Sequence, residues 1–186
     1  MKYLPTFMAC LLVCLSLNLA AQEKEEPLFN GYHKNIYVGL FGSNLFAGAN
    51  YDMRLQKGRM DGIGFRAGIG GVNISATDEF NNQVRLGVVT FPLEVNYVVG
   101  KRRSGFVAGV GVLPMYVNFE GNGTLPDYEY FDVEVKGPGI AGFLDIGYRL
   151  QPLNTGLMLQ VNWNPLFSRD GFGPGWVGFG IGMGFK

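Results

Sequence analysis

The sequence predicts an all-β fold, an eight-stranded antiparallel up-and-down transmembrane β-barrel. Three observations carry it. After an N-terminal leader, apolar residues alternate with small or polar ones at period two through almost the whole chain, the pattern of strands with two unlike faces. The connections between these segments are by turns short and long. The composition is poor in charge and rich in glycine and aromatics, with 29 Gly, 14% aromatic and 16% charged residues in 186, against a usual charged share of about 25%.

That composition also excludes other classes. Intrinsic disorder needs high charge and few aromatics. The 15 basic residues only match the 15 acidic ones, so there is no net positive charge for a nucleic-acid partner's phosphates. The glycines have no strict three-residue period, so the chain is not collagen-like.

The leader is an address. Lys2 precedes an apolar core from Phe7 to Leu17, and Leu19-Ala20-Ala21 leads into Gln22 and the charged Glu23-Lys24-Glu25-Glu26. This is the layout of a Sec-type signal peptide, 1–21, cleaved after Ala21; its apolar stretch is shorter than the ~20 residues of a spanning helix. Both cysteines, Cys10 and Cys14, lie within it, so the mature chain is expected to have neither a disulfide framework nor thiol chemistry. A linker, 22–32, then leads to a barrel domain, 33–186, placed in the cell outer membrane.

The strands follow in order. Segment 35–42 is strand-like with ambiguous facing. In 46–55, Ala47, Ala49, Tyr51, Met53 and Leu55 oppose Gly48, Asn50, Asp52 and Arg54. In 62–74, Ile63, Phe65, Ala67 and Ile69 oppose Gly64, Arg66, Gly68 and Gly70. In 84–99, Val89, Phe91, Leu93, Val95 and Tyr97 oppose Thr90, Glu94 and Asn96. Segment 106–119 is again ambiguous, with Pro114 expected to mark a bulge or a change of phase. In 139–150, Ile140, Leu144, Ile146 and Tyr148 alternate with Ala141, Phe143, Asp145, Gly147 and Arg149. In 156–166, Leu157, Leu159, Val161 and Trp163 alternate with Met158, Gln160, Asn162 and Asn164. The last segment, 176–185, sets Val177, Phe179, Ile181, Met183 and Phe185 against four glycines. Short polar turns fall at 56–61, 100–105 and 151–155, and longer connections at 75–83, 120–138 and 168–175. Only the first connection, near Ser43-Asn44-Leu45, breaks the rhythm.

Period two alone does not tell a membrane barrel from a soluble one, because the two differ in sense. The minority face decides between them. Pointed outward, it would give a soluble barrel a glycine-rich, charge-poor surface, which is poor for solubility. Pointed inward, Asp52, Arg54, Arg66, Glu94, Asp145 and Arg149 are three acids and three bases, a balanced lumen charge network expected near the short-turn rim. Aromatics are expected in two outward bands, with Tyr97, Phe106, Tyr148 and Phe185 near that rim and Phe46, Tyr116, Trp163 and Trp176 near the other.

On the signal segment, the strand Thr90-Phe91-Pro92-Leu93-Glu94-Val95-Asn96-Tyr97 before a basic turn, and the final strand Trp176 to Phe185, the chain resembles the small outer-membrane β-barrel domain family of Gram-negative bacteria, in the OmpA/OmpX size class. The resemblance covers about Tyr32 to Lys186. It implies that the barrel-assembly machinery reads the alternating, aromatic-ended last strand, although here Lys186 follows Phe185.

Little in the sequence points to chemistry. The lone histidine, His33, is expected to be solvent-exposed at the short-turn rim, and no second His or mature Cys stands ready to build a zinc site with it. No catalytic residue, cofactor site or metal site is expected. The loop 120–138 is the part that a barrel does not require. Its plain reading is a strand pair that projects beyond the membrane with a solvated acidic edge; the sharper one makes Asp127, Tyr128, Glu129, Tyr130, Phe131, Asp132 and Glu134 a possible extracellular interaction surface for adhesion, ligand or cation contact. The expected partners are outer-membrane lipid, the assembly machinery and an unknown extracellular ligand, with no nucleic acid. The expected role is structural or surface interaction. The alternatives are a narrow pore, or a lipid A-modifying enzyme that would need residues such as Ser168, Arg169 or Asp170.

Overall fold

A computed structural model describes residues 28–78, 82–100, 103–123, 131–169 and 171–186. The expected signal peptide, linker residues 22–27, Asp127 to Tyr130 and Asp170 lie outside these residues.

The strands are β1 (Lys34–Leu40), β2 (Ala47–Arg54), β3 (Gly62–Thr77), β4 (Gln83–Thr90), β5 (Leu93–Val99), β6 (Ser104–Gly123), β7 (Phe131–Leu150), β8 (Gly156–Ser168) and β9 (Gly171–Phe185). Each pairs antiparallel with its sequence neighbour, except that β4 and β5 together lie between β3 and β6. β1 closes on β9 through Lys34↔Phe185 to Leu40↔Phe179. The result is a closed eight-stranded antiparallel barrel.

β4 and β5 are one stave divided at Phe91-Pro92. The register is the same on both sides of the break: Gly70↔Thr90 and Ala67↔Leu93 against β3, Thr90↔Met115 and Leu93↔Val112 against β6. Two prolines cause the division, because neither Pro92 nor Pro114 has an N–H to give the ladder. Their carbonyls still serve: Phe91 N–H donates to Pro114 O at 2.9 Å and Gly68 N–H to Pro92 O at 2.9 Å. The bulge or phase change expected at Pro114 is therefore absent, and β6 pairs with β7 without interruption from Ser104↔Leu150 to Gly123↔Phe131. The register slips instead between β8 and β9, at Asn164/Leu166 around Pro165. There Gly175 takes φ +74°, a conformation open to glycine without steric cost. Asn164 Nδ2 donates to Leu144 O at 3.0 Å, occupying a carbonyl beside the unpaired stretch.

The facing follows the alternation, including the two ambiguous segments. Asn35, Tyr37 and Gly39 take the inner register in β1, and Gly105, Val107, Gly109, Gly111 and Leu113 in β6, while Ile36, Val38, Leu40, Phe106, Val110 and Val112 are exposed. Tyr97, Phe106 and Tyr148 form an outward cluster near the short-turn rim, with Phe106 directly opposite Tyr148. Trp163 and Tyr116 are exposed nearer the other rim. Trp176 departs from expectation: it pairs with the buried Asn164 and so holds a lumen-side register position, because outward Val177 precludes the same facing for its neighbour.

The two rims differ. At the short-turn rim the staves end together, and residues 28–31 cross the β2–β3 turn, with Leu28 N–H bonded to Gly58 O at 2.9 Å and Gly58 N–H to Gly31 O at 2.7 Å. At the other rim β3, β4, β6 and β7 rise well past β1 and β2. The described residues of 120–138 form the projecting strand pair that was one reading of this stretch, because its alternating residues complete the ladder up to Gly123↔Phe131. In this projection the two faces exchange character. Asn73, Arg85, Asn118 and Lys136 lie on one side, through Asn73↔Gly87↔Asn118↔Lys136 and Ser75↔Arg85↔Glu120↔Glu134. That side continues the outer face of Val89 and Tyr116. The lumen-side register carries Ile74↔Leu86↔Phe119↔Val135. Below the rim the barrel is apolar outside; above it, apolar inside.

Candidate functional site

The connection that broke the sequence rhythm folds inward. Residues Gly42–Asn44 form a single 3₁₀ turn whose residues are all buried. The flanking Phe41 and Leu45 adopt φ +59° and +64° with ψ −151° and −51°, sparsely populated conformations that cost a non-glycine residue roughly 1–3 kcal/mol each. Packing offsets that strain: Leu45 lies against Leu113, Ala141 and Phe143, together with Met115 and Leu166. Glycine makes the approach possible, since a Cβ on Gly178 of β9 would stand 3.0 Å from the Gly42 Cα. The turn is tied down by polar contacts as well. Ser43 N–H donates to Asn164 Oδ1 at 3.2 Å, and Thr90 Oγ1 to Asn44 O at 3.3 Å.

Beneath this turn the structure brings together all six charged residues expected in the lumen, each no more than 4% exposed. They form two groups. Nearer the short-turn rim, Asp52 receives both Arg149 guanidinium nitrogens, at 2.8 and 3.2 Å, and Arg54 Nη2 at 2.7 Å. Arg54 also donates to Gly62 O at 3.0 Å and to Asn96 Oδ1 at 2.5 Å. Arg149 Nε donates to Gln160 at 2.7 Å, and Asn35 donates to Asp52 at 3.2 Å. Under the folded-in turn, Arg66 contacts Glu94 at 2.6 Å and Asp145 at 3.2 Å. It also donates to Ser43 Oγ at 2.5 Å and to Tyr37 OH at 3.2 Å, and lies 5.6 Å over the Phe143 ring. Asn162 donates to Asp145. Asn96 Nδ2 joins the groups, bonding to both Asp52 Oδ2 and Glu94 Oε1 at 3.0 Å. The second group lies deeper than the sequence led us to expect, because β3, β5 and β7 carry Arg66, Glu94 and Asp145 further from their turns.

Sequence reasoning missed Asn35, Tyr37 and Ser43, which came from the ambiguous first segment and its odd connection. Asn96, Gln160 and Asn162 were legible as inward positions, though their partners were not. Of the expected extracellular surface, Asp132 and Glu134 are exposed on the projecting part of β7. The backbone of Phe131 pairs with Gly123.

His33 corrects an expectation. It is 0% exposed, held where its carbonyl accepts the Arg54 N–H at 2.9 Å and where the N-terminal segment, Met60 and Gln151 fill the short-turn end of the lumen. Gln151 Nε2 donates to Met60 O at 3.1 Å. Burial, helped by the nearby Arg149 guanidinium, pushes the imidazole down to about 4 from its usual 6.5. The unfolded chain therefore binds a proton that the folded one refuses between these values, so stability falls as pH drops from 6.5 toward 4. We expect His33→Gln to flatten this part of a urea-midpoint profile against pH; an unchanged profile would place the titration elsewhere.

Buried side chains crowd the lumen. The cleft between the 3₁₀ turn and Arg66 has room for about 10 Å³, roughly a single water. Below it lie the ion pairs, and toward the short-turn rim Met60, Gln151 and His33 are buried as well. Among the described residues no group of three or more His, Cys, Asp or Glu could hold a metal ion.

Comparison with solved structures places this architecture. A major outer membrane protein from Thermus thermophilus matches at TM-score 0.50 and 12% identity, over 84% of this chain and 99% of the other. The fold is that of a small outer-membrane β-barrel. Ail, the attachment invasion locus protein of Yersinia pestis, solved with the heparin analogue sucrose octasulfate, also matches, at TM-score 0.46 and 10% identity over 84% of this chain and 100% of that one. No protein-family model matches the sequence, nor does any curated protein. This small outer-membrane barrel fold thus holds its ion-pair layer between a folded-in loop on one side and a packed turn on the other.

Proposed function

We propose that this chain is an integral outer-membrane barrel with a structural or surface-interaction role, without catalysis and without free solute passage. The observation that carries the reading is the exterior. Val95, Val110, Leu157, Phe179 and Ile181 are among the many large apolar residues left half-exposed around the staves, whereas a soluble monomer rarely exposes a contiguous apolar patch of more than a few hundred Å². Only a lipid environment removes that surface from water, and closure of the sheet satisfies its backbone there. The rim with short turns then faces the periplasm, and the barrel-assembly machinery and outer-membrane lipid are the partners the reading requires.

The filled lumen supports the absence of conduction. The purified protein is expected in the detergent-extracted outer-membrane fraction, with heat-dependent gel mobility and no unitary conductance in planar bilayers. Extraction without detergent would end the membrane reading; steady conductance would favour the pore.

A surface role rests on the projecting staves, whose polar outer side includes a recess of about 440 Å³ lined by residues such as Asn73, Arg85 and Asn118. An unidentified extracellular ligand is the partner proposed for this part, including residues Asp127 to Tyr130. Replacing 122–134 by a short turn is expected to leave assembly intact and to reduce cell-surface binding. Unchanged binding would assign the projection a purely architectural role.

A further inference from the structure

The staves leave a notch in the wall. β1 and β2 stop at Leu40 and Ala47, whose outer neighbours are Phe179 of β9 and Gly71 of β3. β9 runs on past Phe179 to Gly171, and β3 past Gly71 to Thr77, so two adjacent staves are missing for about 20 Å of strand at ~3.3 Å per residue. The floor of this gap lies within the apolar exterior, not above it. Leu40 and Phe41 at the floor are 47% and 48% exposed, and Val177 and Phe172 on the β9 side above it are 49% and 61% exposed.

Through the notch, the apolar exterior is continuous with the apolar lumen-side face of the projection. That face carries Ile74, Leu86, Phe119 and Val135, with Ile74 48% and Val135 56% exposed. Its floor is the buried cluster roofed by Leu45. On the opposite jamb Trp176 holds a lumen-side register position and is 48% exposed. An extracellular mouth that served only water-soluble ligands would be polar on this side; here Asn73, Arg85, Asn118 and Lys136 are on the other.

We infer that an acyl chain of a surrounding outer-leaflet lipid enters sideways through the notch between β9 and β3 and lies on the apolar inner face of the β3-β4-β6-β7 projection, above the folded-in turn. The occupant is a lipid chain because the only apolar phase that reaches the notch is the one in contact with the exterior. The ion-pair layer is sealed off beneath Leu45, so the chain stops at that floor. This inference rests on the membrane reading above.

The test uses the full barrel folded into phospholipid vesicles that contain a phospholipid with a diazirine on its acyl chain. Adducts are mapped by mass spectrometry after illumination. We expect adducts on the exterior, for example at Val95 and Val110, and also on Ile74, Leu86, Val135 or Trp176. Leu86→Asn is expected to reduce inner-face labelling roughly tenfold, the loss of one buried apolar side chain's contact, while labelling at Val95 stays unchanged. Exterior adducts with a bare inner face would overturn the inference and leave the membrane reading standing. No adducts anywhere would overturn both.

Discussion

Asp52→Asn is expected to destabilise the folded barrel by about 3–5 kcal/mol, the usual cost of removing one partner from a buried ion pair. The geometry makes this position the most exacting in the lumen. Among the described residues Asp52 is the one acidic side chain in ion-pair contact with both Arg54 and Arg149; all three are 0% exposed, and the contacts are 2.7 and 2.8 Å. Asparagine keeps the shape and some hydrogen bonding but leaves two guanidinium groups facing each other without a counter-charge. The cost therefore measures an uncompensated buried charge, and not the net worth of the network. A mostly apolar replacement of the whole group could be as stable as the original. That distinction sets the control: Arg149→Met in the Asp52→Asn background removes one stranded cation and is expected to recover part of the loss. Urea unfolding in vesicles, followed by gel mobility, reads both. Equal midpoints for the wild type and Asp52→Asn would mean that water reaches this layer.

Val95→Arg is expected to cost about 2–4 kcal/mol of folding stability in a bilayer, the range for a cation placed on the lipid face near mid-depth. Val95 is 59% exposed and lies between Tyr97 near the short-turn rim and Leu93 further along β5. In a soluble barrel, an exposed Val→Arg change stays within about 0.5 kcal/mol. The same substitution thus separates the two senses of a barrel that share one periodicity. A matched change at Asn73, on the polar outer side of the projection, is the control and is expected to be near neutral. A small effect at both positions would argue that the half-exposed apolar surface does not meet lipid.

How much of this was legible follows from the range over which each feature is decided. In β9, Val177, Phe179, Ile181 and Met183 alternate with glycines, so the pleat alone assigns their faces. The inward set Asp52, Arg54, Arg66, Glu94, Asp145 and Arg149 was readable in the same way, because burial of the opposite register would strand charges in an apolar phase. Pairing was not readable. Asp52 meets Arg149, 97 positions away, and Asp145 meets Arg66, 79 positions away, because ring closure brings distant staves to one axis. Local pattern failed where prolines and turns compete with it: Pro92 rather than a register change divided a stave, and the slip appeared around Pro165. His33 looked like a lone rim residue, and the chain crossing beside it buried it.

By itself, then, the sequence determined the class of fold, the inside and outside of six of the eight staves, and the charge balance of the lumen, since each is a property of period two read along one strand. The tertiary structure alone decided that Gly42–Asn44 folds into the mouth, that the six charges divide into two groups joined by Asn96, and that two short staves open a notch toward an apolar inner face. These depend on where each stave ends relative to neighbours far away in the chain, and alternation carries no record of that.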